Sequence, residues 1–486
     1  MLSFRNLTIG SSLLADLTAL EWVDVISLFS SRQSSSMNKQ EIRAAVAVAA
    51  LFLVRMLGLF MILPVLPLVG EELEQSTPFR VGLALGIYGL SQAFLQIPLG
   101  LASDHFSRKS VVTFGLILFT FGSCVAAFGQ DIFIVILGRF IQGCGAISST
   151  LLALVSDVTR IDHRSKAMGI VGIAIGLSFG FSIILGPVIF SYQGLSGIFS
   201  FSAFLGLIGL IILWKLVPTP ISIKTNLDTK VALDKCWLML SDRTLVPIYS
   251  GVFFLHYLLT SGFMVFPLIF RDVGIEDGMH SIYYFGVFLV ALFLMSPLVW
   301  LSDRPGRSHN VLRGMVCCLI IAMIGLANAL SSVVILISMV VFFVGFNLLE
   351  VLLPAHMSKI VAAGTRGTGM GIYSTFQFLG TFMGGVSAGL LLSYADIIML
   401  LYANAGIGVV WLVMCFKLQS LDGIQSRVVH LKAFEGKPEK LLLEQLLSLN
   451  GVLDAVLIYE ERIAYLKVQN DLFDDSQLQE FITNKI

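Results

Sequence analysis

Charge is what this chain has least of. Only 13% of its 486 residues are Asp, Glu, Lys or Arg, about half the share found in a soluble domain. The 31 basic and 31 acidic side chains cancel, so no surplus of cations is offered to nucleic acid. No Gly-x-x-x-x-Gly-Lys-[Ser/Thr] phosphate loop occurs, which argues against an ATP-driven pump. The six cysteines are Cys124, Cys144, Cys236, Cys317, Cys318 and Cys415. Five lie in or beside apolar runs and none forms a Cys-x-x-Cys pair. They read as small buried hydrophobes, with no disulfide framework, no metal centre and no cofactor implied. An enzyme is not expected. The first 36 residues lack the marks of a targeting segment: Asp16, Glu21 and Asp24 interrupt the apolar residues, whereas a signal peptide needs a clean apolar core and a transit peptide avoids acids. Residues 1–36 therefore read as a dispensable, disordered extension, with Met37 the natural first residue.

What the chain has in excess is oil. Hydrophobic residues make up 56%, and the mean hydropathy is +0.89. The 44 glycines suit close helix packing in lipid, where small residues let backbones approach. A spanning helix needs about 20 apolar residues. Twelve such runs are expected, at 44–69, 80–102, 110–129, 132–156, 166–192, 196–217, 245–270, 281–301, 311–330, 332–357, 367–393 and 396–416. The hydrophilic stretch 218–243 divides them six and six, giving halves at 37–217 and 244–417. Loops joining even-numbered helices to the next carry fifteen Lys and Arg, including Arg108, Lys109, Arg160, Arg164 and Lys166; the odd loops carry only Arg80 and Arg271. The positive-inside rule then places both termini and the central linker in the cytoplasm.

The halves repeat one another. "PLGLASDHFSRKS" (98–110) returns as "PLVWLSDRPGRSH" (297–309), so a shift of 199 lays Pro98, Asp104 and Arg108 on Pro297, Asp303 and Arg307. A shift of 202 lays 155–170 on 357–372 without a gap, matching Ser156, Arg164, Met168, Gly169 and Ile170. Parallel six-helix halves mark a transporter with its site at the repeat interface. Beyond residue 427 the composition becomes ordinary. "RVVHLKAF", "GVLDAVLIYE" and "ERIAYLKV" alternate like strands, while "KPEKLLLEQLLSL" and "DSQLQEFITNKI" read as helices. The β-α-β-β-α order is that of a ferredoxin-like domain without its closing strand, so 427–486 is expected to be a small cytoplasmic α+β unit.

Charges at membrane depth are expensive and mark function. Glu350 is the one carboxylate well inside a spanning run; Asp104, Asp157 and Asp303 sit at helix ends. It is a candidate proton carrier, or else a structural acid held by a neighbour. Asn347 lies one turn earlier on the same face. Arg55, midway along the first helix, could bind an anionic group or neutralise Glu350. His256 could titrate near neutral pH, and Gln92, Gln96, Tyr373 and Gln377 could line a cavity. In "GRFIQGCGA", Arg139, Gln142 and Gly143 share one helix face.

Twelve helices in two halves, with Gly100, Asp104, Arg108 and Lys109 in a loop between helices 2 and 3, resemble the major facilitator superfamily. The loop departs from the family pattern at His105 and Ser107. The resemblance implies an all-α membrane protein of major facilitator fold. It also implies a conformational latch built from that loop, Asp157, and the second copy with Asp303 and Arg307. Arg139, Gln142 and Gly143 resemble the family's Arg-x-x-Gln-Gly element, which is associated with proton coupling. Gly176, Gly180, Gly186 and Pro187 resemble the antiporter signature of helix 5, although Phe190 and Ser191 replace its trailing glycines. "FFVGFNLLEVLLPAHMSKI" and "RGTGMGIYSTFQFLG", with the ferredoxin-like tail, resemble the YajR-type branch of the drug-proton antiporter group. That implies proton-linked efflux of a small organic molecule across a bacterial inner membrane by a monomer. A transporter-like sensor signalling through the tail is the alternative.

Overall fold

The computed structural model describes residues 37–159, 161–218, 237, 239–242, 244–302, 304, 306–361, 366–416, 424–430, 439–458, 463–469, 472–474 and 476–478. The extension 1–36, most of the central linker and the end of the tail lie outside the described residues.

Polar caps decide where the oily runs become helices. Asn38 opens α1 (Lys39–Phe60) with a reciprocal capping box: Glu41 N–H donates to Asn38 Oδ1 and Asn38 N–H donates to Glu41 Oε2, each at 2.8 Å. Pro67 starts the short α2 (Leu66–Val69). Thr77 caps α3 (Pro78–His105), and Ser107 caps α4 (Arg108–Ala127). The fourth apolar run is broken. It forms α5 (Ile132–Cys144) and α6 (Ser148–Asp157), separated at 145–147. The break packs tightly, since a Cβ on Gly145 would meet the Gly115 carbonyl of α4.

Runs five and six follow one another without a loop as α7 (Ile161–Lys215), two helices joined across a kink at Gly194 where the backbone is not helical. Gly194, with φ 64 and ψ −163, bends it in a conformation that costs glycine little. Eleven helical segments among the described residues are long and apolar enough to cross a membrane, the kinked pair Lys166–Lys215 being counted as one of them.

The second half follows the same order: α8 (Val246–Phe263), α9 (Phe266–Asp272), α10 (His280–Ser302), α11 (Ser308–Ala327), α12 (Ser332–Ile360), α13 (Arg366–Leu392) and α14 (Ile397–Cys415). Within the first half α1 packs on α7, and α4 on α5 and α7. Within the second, α8 packs on α13, and α11 on α12 and α14. The halves meet through α3 against α13 and α7 against α10.

Glycines decide how closely they meet. A Cβ on Gly82, Gly86 or Gly89 of α3 would run into the backbone of Gly385, Phe382 or Phe378 of α13. Toward the other end nothing lies within 4 Å of a Cβ on Gly169, Gly172 and Gly176 of α7 or on Gly371 of α13. The halves are thus in backbone contact at one end and, at these glycines, parted at the other.

The tail holds β1 (Ile424–His430), α15 (Glu439–Leu447), β2 (Val452–Ile458) and β3 (Ile463–Gln469). Its sheet order is β1-β3-β2, with both pairings antiparallel. Val429, Leu442, Leu446, Ala464, Leu466 and Val468 form its own small core. Of the expected second tail helix, residues 476–478 are helical and 479–486 lie outside the described residues.

Candidate functional site

Between the packed end and the parted end lies a narrow cavity. Both halves build its walls. Met56 and Phe60 of α1, Leu85 of α3, Arg139 of α5 and Ile175 of α7 come from the first; His256, Glu350, Gln377 and Phe378 come from the second. Most of the lining is apolar, with a few polar groups set into it, as ligand pockets usually are.

Arg139 is fully buried. Its Nε donates to the Ala84 carbonyl at 3.3 Å and its Nη1 to Gln142 Oε1 at 3.1 Å. The guanidinium sits 4.8 Å from the Tyr88 ring centroid, a cation–π contact. Gln142 in turn donates to Ser123 Oγ at 2.6 Å. Nη2 of Arg139 has no hydrogen-bond partner, so the cavity wall keeps one free donor on a cation.

The facing wall carries the opposite chemistry. His256 Nε2 lies 3.6 Å from Glu350 Oε2. Gln377 Nε2 is 2.7 Å from His256 Nε2 and donates to Glu350 Oε1 at 3.4 Å. The other ring nitrogen, Nδ1, faces the Val252 carbonyl at 3.2 Å. A proton on Nδ1 satisfies that carbonyl and leaves Nε2 to accept from Gln377. A second proton on the ring would then face Glu350.

An aromatic cluster joins the halves beside the cavity. Phe179 of α7 contacts Phe60 at 5.2 Å, Phe346 at 5.5 Å and Phe263 at 6.3 Å between ring centroids. Nothing in the sequence pattern singled out Phe179, because apolar residues surround it in the chain. Thr260 and Thr381, which also line the cavity, were hidden for the same reason.

Other sequence-predicted residues fall elsewhere. Arg55, Gln92, Gln96 and Asn347 do not line the cavity. Arg55 is tied inside the first half, donating from Nη1 to Ser148 Oγ at 2.7 Å and from Nη2 to Gln92 Oε1 at 2.5 Å. No ion pair joins it to Glu350 among the described residues. Asn347 Nδ2 and the Tyr373 hydroxyl are buried without partners. In the helix 5 motif, a Cβ on Gly180 would meet the Phe288 ring and one on Gly186 the Met61 carbonyl, while Gly176 faces open space and Pro187 is buried.

The repeated corner lies at the parted end. Arg108 Nε is 3.1 Å from Asp157 Oδ2, and its Nη1 donates to Ser103 Oγ at 2.6 Å. Lys109 donates to the Val217 carbonyl at 2.6 Å. Gly100 packs against Ser149. The Asp104 side chain and all of Asp303 lie outside the described residues. In the second corner Arg307 is exposed and Arg304 stacks 3.8 Å from the Trp300 ring centroid.

A family model described as Major Facilitator Superfamily matches residues 48–385 and 248–450. The chain belongs to that superfamily. It is a multi-pass membrane transporter and not an enzyme. It is similar to the inner membrane transport protein YajR of Escherichia coli strain K12, 33% identical over 447 residues, covering 92% of this chain and 98% of that one. It is also similar to multidrug resistance protein 2 of Bacillus subtilis strain 168, 24% identical over 374 residues, covering 73% and 90%. Among solved structures, a D-xylose-proton symporter matches with TM-score 0.63 at 14% identity, covering 79% of this chain and 98% of that one.

Proposed function

We propose that this superfamily member exports small amphipathic organic molecules from the cytoplasm of a bacterium, driven by inward proton flow. The observation that carries the reading is the cavity itself. A mostly apolar space between the halves sets Arg139 on one wall and Glu350, His256 and Gln377 on the other. An apolar body with a polar group fits such walls, and a carboxyl at membrane depth is suited to take up and release a proton. The names of multidrug resistance relatives favour export.

In this reading Lys166–Lys215, bent at Gly194, crosses the membrane twice: 50 residues at 1.5 Å per residue exceed two bilayer cores. The crossings then number twelve, and both termini lie in the cytoplasm. The parted end, with its basic corner, faces the cytoplasm. The antiparallel β1-β3-β2 order supports a ferredoxin-like tail. One chain builds the whole cavity, which supports a monomer. Asp104, Arg108, Asp157, Asp303 and Arg307 act as the cytoplasmic latch. Arg139, Gln142 and Glu350 couple protons to the movement.

The test uses purified protein in proteoliposomes, with ethidium as the probe and an imposed pH gradient. Wild-type flux is expected to rise with the gradient. Glu350→Gln, which cannot ionise, is expected to retain exchange at equal pH and lose the gradient dependence. An unchanged gradient dependence in Glu350→Gln would eliminate Glu350 as the carrier. Failure of the wild type to move ethidium and other amphipathic probes would overturn the export reading.

A further inference from the structure

A second polar site lies inside the first half, apart from the cavity lining. Its centre is Arg55, 1% exposed. A cation buried at membrane depth normally pairs with a carboxylate. No carboxylate pairs with Arg55 among the described residues. Its contacts are neutral: Ser148 Oγ at 2.7 Å and Gln92 Oε1 at 2.5 Å. Gln92 in turn donates to Gln96 Oε1 at 3.3 Å.

The surroundings are rich in donors with nothing to donate to. Arg55 Nε and Gln96 Nε2 are buried without partners. Gln92 and Gln96 are each 0% exposed. Ser148 Oγ accepts from Arg55, so its own proton remains to be given. Ser148 is also the first residue of α6, a ten-residue helix whose N-cap, Ile147, has no side chain able to cap it. The positive end of that helix therefore adds to the Arg55 charge instead of offsetting it. Ser149 Oγ, one residue on, donates to the Gln96 carbonyl at 3.3 Å, which holds this helix start against α3.

The repeat shows what the site lacks. The shift of 202 that aligns 155–170 with 357–372 also lays Gly143 on Gly345 and Ser148 on Glu350. In the second half this position carries a carboxylate on an unbroken helix, facing His256 of α8. In the first half it carries a hydroxyl at a helix start, facing Arg55 of α1.

We propose that Arg55, Gln96 and the start of α6 bind a small monovalent anion in the first half. The anion supplies the negative charge that the second half carries as a side chain. Two sources share this chemistry, a free halide and the acid group of a cargo molecule.

The experiment is thermal unfolding of the purified full chain at fixed ionic strength. Chloride replaces gluconate in one series, and benzoate replaces it in another. A saturating rise of roughly 2–4 °C is expected. A rise with chloride identifies a free halide, and a rise with benzoate alone identifies a cargo acid group. Gln92→Glu places a carboxylate 2.5 Å from Arg55 Nη2 if the side chain keeps its position. It is expected to unfold higher without added anion and to lose the response. Arg55→Gln is expected to lose the response as well, and serves if Gln92→Glu does not fold. A flat wild-type response to both anions, or an equal response in wild type and folded variants, overturns the proposal.

Discussion

Near the middle of the spanning helices the first half buries two arginines, Arg55 and Arg139, whereas the second half sets a half-buried Glu350 beside the buried His256. The two halves share helix order, helix contacts and the matched corner, so duplication fixed the scaffold. It did not fix the chemistry. Under the shift of 202, Arg139 and Gln142 fall on Val341 and Val344, and Ser148 falls on Glu350. A cavity between the halves therefore has one cationic wall and one wall that can take up a proton. A symmetric pair of walls would repel or attract a charged cargo equally from both sides and give rocking no chemical direction.

Removing the cation from the first wall should have the largest effect on transport. In Arg139→Gln the Ala84 carbonyl and the Tyr88 ring lose their partner, and the free Nη2 donor disappears. A loss of about 3 kcal/mol of buried polar interaction corresponds to roughly a 100-fold fall in flux. Arg139→Lys, which keeps a charge without the fork geometry, should recover part of it. Wild-type flux in Arg139→Gln, measured in proteoliposomes, would make this wall structural and leave Glu350 alone at the centre.

The contrast between the two ends can be broken next. A side chain on Gly82 has no room against the Gly385 carbonyl while the halves are packed. Gly82→Leu should cost about 1–3 kcal/mol by overpacking, lowering the unfolding temperature by several degrees and slowing transport. The matching change at the parted end, Gly172→Leu, meets nothing within 4 Å and should leave the unfolding temperature near wild type. Equal destabilisation by both would mean that the parted end also packs tightly in solution.

Much of this was readable from the chain alone, because lipid is an unforgiving solvent. Apolar runs about 20 residues long must span, every backbone group must be paired within the helix, and loop charge sets direction. The Arg108–Asp157 contact could be named from helix ends, since the corner and the end of the fourth run must lie on one face of the membrane. What could not be read was side-chain aim. From the chain alone Arg55 could bind an anionic group or neutralise Glu350; the structure gives it Ser148 instead, at the break 145–147 that an unbroken apolar run does not reveal. The kink at Gly194, by contrast, falls in the short polar stretch Ser191–Ser196 that separates runs five and six in the sequence. Phe179 carries no signal among 37 phenylalanines, yet it is the ring around which the others gather.

The smallest expected effect separates the two corners. Both keep Pro, Asp and Arg at one spacing, but the shift of 202 lays Asp157 on Lys359. The first corner therefore has an acid to receive Arg108, and the second has a base at the corresponding place. The Arg108–Asp157 pair has side chains 20% and 37% exposed, so solvent screens it and it contributes on the order of 0.2–1 kcal/mol. Asp157→Asn should then slow transport by about 2- to 5-fold, with an unfolding temperature within a degree or two of wild type. Ser103 still holds Arg108 through Nη1 in that variant, so the corner loosens without falling apart. Lys359→Asn removes no acid from an arginine and should change flux less than Asp157→Asn does. If the two substitutions slow transport equally, the corners are equivalent latches, and the charge reversal between them has no bearing on which half moves first.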